Sequence, residues 1–526
     1  MKAVLNDPLR FKVDNCQKDK TDAVEKRITN SLKDLLKKKL IDNNTYNDLK
    51  PRGSRLPHMY GVPKIHKKQV PLRPILSMIN SPQHKMARWL AEKLEPIRQR
   101  LGVHTMRDSF HFSESVNHMN VLNKFMVSFD VTSLFTMIPV NETIEIICQQ
   151  SDLLPLPESE FKRLLLMCTM DVQFQFDNTL YRQIDGVAMG SPLSPVLADI
   201  FMSNLERTKL KHAIDETNSY CRYVDDTFIV CNNESHASHL LGLFNDAHSN
   251  IEFTMEHESD GKFHFLEIAI ERLEDGSLQK SIYRKPTWKG HYLHFNSFCP
   301  NSFKRGLVKT LYYRARRICS IEKLEEEFEF LEKTLKSNGY PQRFINKYGR
   351  SEVKNVKQIT VEKKPIYFQL DYKGENITAM NNRRLSTSLA IAYPAAKLVP
   401  VYRTVCSLVQ SKIDRYPSHV NSNCIYKFTC IRGSSYIGRT KRRAYLRFSE
   451  HVPKSLHLKG TSSLNSAIAR HLLDTGHEVE IEKSFKIINR QRSSTLFKFA
   501  EAISIKRFKP DLCVQKEAVI SLSLPW

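Results

Sequence analysis

The chain has 526 residues with 80 Lys and Arg against 56 Asp and Glu, a formal net charge of +24. A surplus of this size points to a polyanionic partner, because neutralising phosphates releases counterions, and the length predicts several domains at about 100–200 residues each. No apolar run approaches the roughly 20 residues of a membrane span, the N-terminus lacks the apolar core of a signal peptide, and 11 scattered cysteines form no disulfide framework, so a chain with reduced thiols in cytosol or nucleus is expected.

Residues 1–50 are lysine-rich and read as a helical extension, with Leu32, Leu35, Leu36 and Leu40 on one face and Lys37, Lys38 and Lys39 beside them. Between 57 and 77 basic side chains, Lys64 and Arg73 among them, are spaced by prolines that hold the backbone extended, a loop suited to a triphosphate. A helix over 83–97 should bury Met86, Trp89, Leu90 and Leu94. Residues 124–136 form an apolar strand broken by one acid, Asp130, followed by a short polar turn that includes Phe135. A helix start at Pro139 to Asn141 is followed by Ile144, Ile146 and Ile147, and 174–184 reads as a hairpin turning at Asp177 and Asn178. A small-residue turn from Gly186 to Pro195, containing Met189 and Gly190, leads into an apolar helix; glycine lets backbone approach a substrate closely there.

The stretch from Cys221 to Val230 sets two adjacent carboxylates, Asp225 and Asp226, between β-prone runs, which is a hairpin with acid at its tip. Neighbouring carboxylates repel, so the arrangement makes most sense with a divalent cation against them. Asp130 supplies a third acid from a separate strand, as phosphoryl transfer by two cations about 3.5–4 Å apart requires. Further strands follow at 251–256 and 263–268. Residues 282–295 then mix cations with aromatics, a composition suited to backbone phosphates and stacking. Lys304 to Ile318 reads as a helix with Leu307, Leu311, Ala315 and Ile318 on one face and Arg305, Lys309 and Arg316 beside it. Helices continue to 350. A strand pattern at 366–370, a helix ending near Pro394 and a β-like run at 398–402 mark a connector.

In this order, Phe129-Asp130-Val131-Thr132-Ser133-Leu134-Phe135, the Gly186 to Pro195 turn and Tyr223-Val224-Asp225-Asp226 resemble the palm of a reverse transcriptase, and most closely that of Penelope-like retroelements. The resemblance implies that Asp130, Asp225 and Asp226 bind two catalytic Mg²⁺ ions and that Phe135 gates the sugar 2′-hydroxyl. It also implies that Met189 and Gly190 belong to the nucleotide site, and that Lys64 and Arg73 stabilise the phosphates of the incoming nucleotide. The family usually has more sequence ahead of Met1.

Cys424 to Cys430 and Ser435 to Thr440 resemble the paired strands of GIY-YIG endonucleases, with Cys424 standing where the first glycine is expected. Arg447 and His451, four apart, share a helix face. Glu501 lies on an apolar helix between Phe497 and Ile505, where an unpaired acid is costly, and its isolation points to a metal ligand. The resemblance implies that Tyr426, Tyr436, Arg447, His451 and Glu501 are catalytic, with one Mg²⁺ on Glu501. It also raises a Zn²⁺ site at Cys430, His471 and His477. Arg432 and Gly433 occupy the place of its second cysteine, and Cys424 is six residues of extended chain from Cys430, about 20 Å, too far to share a zinc.

The expected fold is therefore multidomain α+β. A helical extension (1–50) precedes a right-hand polymerase of fingers and palm (51–300) and thumb (301–350), then a connector (351–420) and a small α/β GIY-YIG nuclease (421–526). The expected function is the RNA-directed DNA polymerase of a retrotransposon coupled to a DNA-nicking endonuclease that provides the primer. Its partners are template RNA, target and primer DNA and deoxynucleoside triphosphates, without a membrane, in the nucleus after cytoplasmic synthesis. A catalytically inactive or domesticated nucleic-acid-binding copy remains the alternative, kept open by the missing glycine and the short N-terminus. The C-terminal domain argues against a telomerase-like enzyme without a nuclease.

Overall fold

The computed structural model describes residues 2–65, 70–350, 364–393, 395–403, 422–452, 466–477, 479–490 and 494–513. The N-terminal stretch is not wholly helical. Phe11–Val13 forms a strand, β1, ahead of helix α1 (Thr21–Lys37). The strand forms because Phe11 has an aromatic slot to fill, its ring meeting Phe174 edge-on at 6.0 Å. The leucine spacing of α1 acts as read: Ile28, Leu32 and Leu35 are fully buried, while Leu36 and Leu40 lie at the edge of the same core.

The proline-spaced segment becomes the antiparallel hairpin β2 (His58–Pro63) and β3 (Leu72–Ser77), followed by helix α2 (His84–Leu101). Next come β4 (Phe125–Val131), the single turn α3 (Leu134–Met137), and α4 (Val140–Cys148), which buries Ile144, Ile146 and Ile147. Strands β5 (Val172–Phe176) and β6 (Thr179–Gln183) turn at Asp177 and Asn178, both at positive φ, as a two-residue hairpin matched to strand twist requires. They complete a five-stranded sheet in the order β1-β6-β5-β2-β3, so the N-terminal residues are part of this layer.

Helix α5 (Ser194–Arg207) then leads to β7 (Ser219–Tyr223), β8 (Asp226–Cys231) and β9 (Phe253–His257). These build a second sheet, β7-β8-β4-β9. Its alternation sorts the side chains. Val127, Phe129 and Val131 of β4 and Ile229 of β8 face the core shared with α2, α4 and α5, which leaves Asp130 on the opposite face. Beyond it, β10 (Lys262–Phe265), β11 (Ile268–Arg272) and β12 (Leu278–Ile282) form a three-stranded sheet whose Phe265 packs on Phe112 and Phe228.

Helices α6 (Asn301–Ile318), α7 (Ile321–Ser337) and α8 (Gln342–Gly349) pack around Val308, Tyr312, Leu331, Leu335 and Ile345. The buried stripe of α6 runs through Val308 and Tyr312, with Leu307 and Leu311 only partly covered, because α7 and α8 both lie on that side. Strand β13 (Lys364–Asp371), helix α9 (Glu375–Ala392) and β14 (Ala396–Arg403) form a βαβ unit whose two strands pair in parallel. Pro394, 351–363 and 404–421 of the connector lie outside the described residues.

The C-terminal unit is a three-stranded sheet, order β16-β15-β17, made of β15 (Cys424–Thr429), β16 (Ser435–Thr440) and β17 (Phe485–Arg490). Helices α10 (Ala444–His451), α11 (Ala467–Thr475) and α12 (Ser494–Phe508) accompany it. It touches the N-terminal part directly: Arg443 pairs with Asp19 at 3.1 Å and Asp22 at 3.4 Å, and Ser422 donates to the Gly53 carbonyl. Among the described residues no helix is long and apolar enough to cross a membrane.

Candidate active sites

Asp130 of β4 and Asp226 of β8 are direct register partners in an antiparallel pair, so both carboxylates leave the sheet on the same face. Asp225 occupies the two-residue turn between β7 and β8, and its carbonyl accepts from the Val131 amide at 3.1 Å. Burial, then the charges of Asp225, Asp130 and Glu256, push the Asp226 carboxyl up to about 7, with Lys285 opposing weakly. A cluster of acids this poorly compensated is a donor set for divalent cations. Glu256 and Lys285 belong to this environment although neither was singled out in the sequence; the acid alternating along β9 was the signal for the first.

Phe135 sits on α3, half-buried against the core, and its carbonyl accepts from the Val187 amide at 2.7 Å. The small-residue turn is thereby tied to the Asp130 turn. It is tied equally to the hairpin on its other side, since the Leu76 amide of β3 donates to the Met189 carbonyl at 2.9 Å. Gly190, at φ +133°, has its missing Cβ direction filled by the Leu76 carbonyl oxygen, 2.3 Å from where a Cβ would stand. Within the chain, the close approach that this glycine permits is to β3. Arg73 on β3 is exposed and Lys64 half-buried just past β2, so both cations lie at the loop end of that hairpin.

In the C-terminal unit Tyr426 is fully buried and its hydroxyl lies 2.6 Å from His451 Nε2. The other ring nitrogen, Nδ1, is 2.6 Å from the Ser466 hydroxyl. A neutral imidazole has one N–H, so one contact is a donation and the other an acceptance. Burial and the Arg447 charge hold the histidine down to about 4, which keeps it neutral. Tyr436 stands with its ring 5.8 Å from His451, and Arg447 lies beside the Tyr426 hydroxyl while its outer nitrogen pairs with Glu450 at 2.9 Å. Only glycine fits at 438, where a Cβ would be 2.6 Å from the Tyr426 hydroxyl. Glu501 is not isolated: Arg439 of β16 reaches it at 3.3 Å, so the acid has a countercharge that spacing along its own helix could not reveal. Burial still raises its carboxyl. Cys430, His471 and His477 converge, their ligand atoms all within 4.8 Å of one another. Neither nitrogen of His477 nor Nε2 of His471 has a hydrogen-bond partner among the described residues.

Residues 65–267 match the family model "Reverse transcriptase (RNA-dependent DNA polymerase)", a span that contains Arg73, the Asp130 strand, the Gly190 turn and the Asp225-Asp226 hairpin. The chain carries a reverse transcriptase domain. Residues 291–350, spanning α6 to α8, match a model described as "Animal helix-turn-helix domain". No curated protein matches the chain. Similar solved structures include a Candida albicans telomerase in complex with a fragment of telomeric RNA, at 11% identity and TM-score 0.40, covering 56% of this chain and 57% of that one. An apo telomerase from Candida tropicalis follows at 14% identity and TM-score 0.36, covering 56% and 60%. The RNA polymerase complex inside a double-stranded RNA virus is similar at 12% identity and TM-score 0.34, covering 60% and 30%. The chain thus spans little more than half the length of the first two.

Around the reverse transcriptase domain, one cation of the 282–295 segment and one of α6 are engaged internally. Arg284 pairs with Glu327 and stacks on Phe330, 4.1 Å from the ring centroid. Arg316 donates to the Gly349 carbonyl at 2.8 Å and covers Phe328, while Arg305 lies 6.0 Å from the Tyr348 ring.

Proposed function

We propose that the chain is the RNA-directed DNA polymerase of a Penelope-like retroelement, and that its C-terminal domain is a GIY-YIG endonuclease that nicks target DNA to supply the primer. For the polymerase half, the support is Asp130 and Asp226 paired across β4 and β8 with Asp225 in the adjoining turn, inside the reverse transcriptase domain. For the coupled reading, the carrying observation is the Tyr426 hydroxyl against His451 Nε2 at 2.6 Å, in a hairpin and helix that also bring Tyr436 and Arg447 to the same point.

In the polymerase, Asp130, Asp225 and Asp226 would hold Mg²⁺, which when bound supplies charge neutralisation at the attacking and leaving oxygens. Lys64 and Arg73 meet the triphosphate, Arg73 offering a planar fork, while Phe135 and the Met189–Gly190 backbone shape the nucleotide pocket. In the nuclease, the neutral His451 and the Tyr426 hydroxyl share a proton at Nε2 and so manage the proton of an attacking water, with Tyr436 packed beside them. Arg447 holds the scissile phosphate. Glu501 would hold the Mg²⁺: its Arg439 contact at 3.3 Å is longer than the 2.7–2.9 Å typical of a tight charged hydrogen bond, which leaves the carboxylate able to accept a second cation. Cys430, His471 and His477 suit three positions of a tetrahedral Zn²⁺ site, since their ligand atoms converge and Nε2 of His471 and both nitrogens of His477 have no partner among the described residues.

The test is one protein in two assays, relaxation of supercoiled plasmid and extension of a DNA primer on an RNA template. Glu501→Ala should lose nicking and keep extension, and Asp130→Asn should do the reverse. Nicking by Glu501→Ala at the wild-type rate would leave the C-terminal unit as a basic DNA-binding module.

A further inference from the structure

Arg222, one residue ahead of the Tyr223–Asp226 turn, is fully buried. A buried guanidinium must be paired, and this one is paired on every nitrogen. Nε donates to Glu206 Oε1 at 2.5 Å, Nη1 to Asp199 Oδ1 at 2.8 Å, and Nη2 to the hydroxyls of Ser203 at 2.9 Å and Thr105 at 3.1 Å. The partners are themselves anchored: Arg98 donates to Asp199 at 2.6 Å and the Tyr220 hydroxyl to Glu206 at 2.8 Å. Two cations, Arg98 and Arg222, thus balance two acids of α5, and the guanidinium has no freedom to turn. One contact leaves this network. Nη1 also donates to the Val224 carbonyl at 3.1 Å.

Val224 is at φ +57°, a left-handed conformation that a β-branched residue adopts only when its surroundings impose it. The peptide that follows is held from the other side by Val131, the neighbour of Asp130, whose amide donates to the Asp225 carbonyl at 3.1 Å. The two contacts bracket the turn between Arg222 and the Asp130 strand.

We propose that Arg222 is a positioning residue of the polymerase site: its fixed guanidinium holds the Val224 carbonyl, imposes the left-handed turn, and so sets where Asp225 and Asp226 stand relative to Asp130. Lysine would keep the charge but offers donors from a single nitrogen, which cannot serve Glu206, Asp199 and the carbonyl together. The proposal rests on the polymerase reading of the three aspartates.

The experiment uses the full chain extending a DNA primer on an RNA template. In Arg222→Lys, kcat should fall about tenfold or more, because a displacement of about 1 Å in a catalytic array costs up to about 10²-fold. The Mg²⁺ concentration for half-maximal rate should rise several-fold, while template–primer affinity stays near wild type. Val224→Gly, added to that background, should recover part of kcat and of the Mg²⁺ dependence without recovering the melting temperature, since glycine takes the positive φ unaided. Wild-type kcat and Mg²⁺ dependence in Arg222→Lys, or a loss that Val224→Gly leaves untouched, would overturn the proposal. Should Arg222→Lys not fold, Glu206→Gln replaces it with the same readouts and the same two overturning results. Asp130→Asn runs in parallel: extension that survives it refutes the site assignment itself, a result distinct from failure of the Arg222 role.

Discussion

Asp226 has the clearest individual signature. Its carboxyl, raised to about 7 by burial and three neighbouring acids, keeps a proton in the folded chain that the unfolded chain gives up near pH 4. Stability of the metal-free protein should therefore fall as pH rises from about 4 to about 7, the sign expected when the folded state binds more protons. A divalent cation relieves the repulsion, so the gain in melting temperature on adding Mg²⁺ should be larger near pH 8 than near pH 6. In Asp226→Asn the difference should flatten, and equal gains at both pH values in the wild type would contradict this reading. Phe135 gives a second test at this scale. If its ring gates the sugar, Phe135→Ala should accept ribonucleotides far better with little loss of deoxynucleotide use; unchanged discrimination with a lower melting temperature would make it core packing only. Asp130 and the Asp225-Asp226 pair stand out in the sequence because each breaks an apolar run, whereas the role of Phe135 rests on the resemblance alone. Arg222, Asp199 and Glu206 were not, since their meaning depends on three segments meeting in space. Glu501 was legible as an acid and misread as alone, its partner Arg439 lying on another strand.

Among elements, hairpins and amphipathic helices could be anticipated wherever one period dominates. The β5–β6 turn and α4 stand where alternation and helical spacing put them, and the β15–β16 pair where the resemblance put it. Register across sheets could not be anticipated, because it depends on which exposed edge a distant strand finds. The same holds for α6, whose buried stripe shifted toward Val308 and Tyr312 once α7 and α8 claimed that side. The junction of β15 with α11 carries a prediction. If Zn²⁺ bridges Cys430 to His471 and His477, chelation or Cys430→Ser should lower the melting temperature of the C-terminal unit and leave primer extension intact, with bound zinc checked by elemental analysis. A chain isolated without zinc that melts identically with and without chelator would reject the site.

For the whole molecule, the contacts of Arg443 with Asp19 and Asp22 and of Ser422 with Gly53 join the two ends of the chain. The acids are partly exposed, so each pair contributes modestly. Arg443→Ala should let the C-terminal unit melt below the reverse transcriptase domain in calorimetry, and a profile identical to wild type would mean that the contacts add nothing.

The edge strand β1 has a consequence for how the chain is made. Phe11–Val13 is synthesised well ahead of its partners, Tyr181–Gln183. At about 5–20 residues per second a ribosome delivers those partners on the order of ten seconds later, and the first sheet cannot close before then. Until that moment Phe11 has no ring to pack against and Arg10 no Asp185. A strand of three residues offers little edge for a stray chain to pair with, so its brevity protects the nascent protein during the wait.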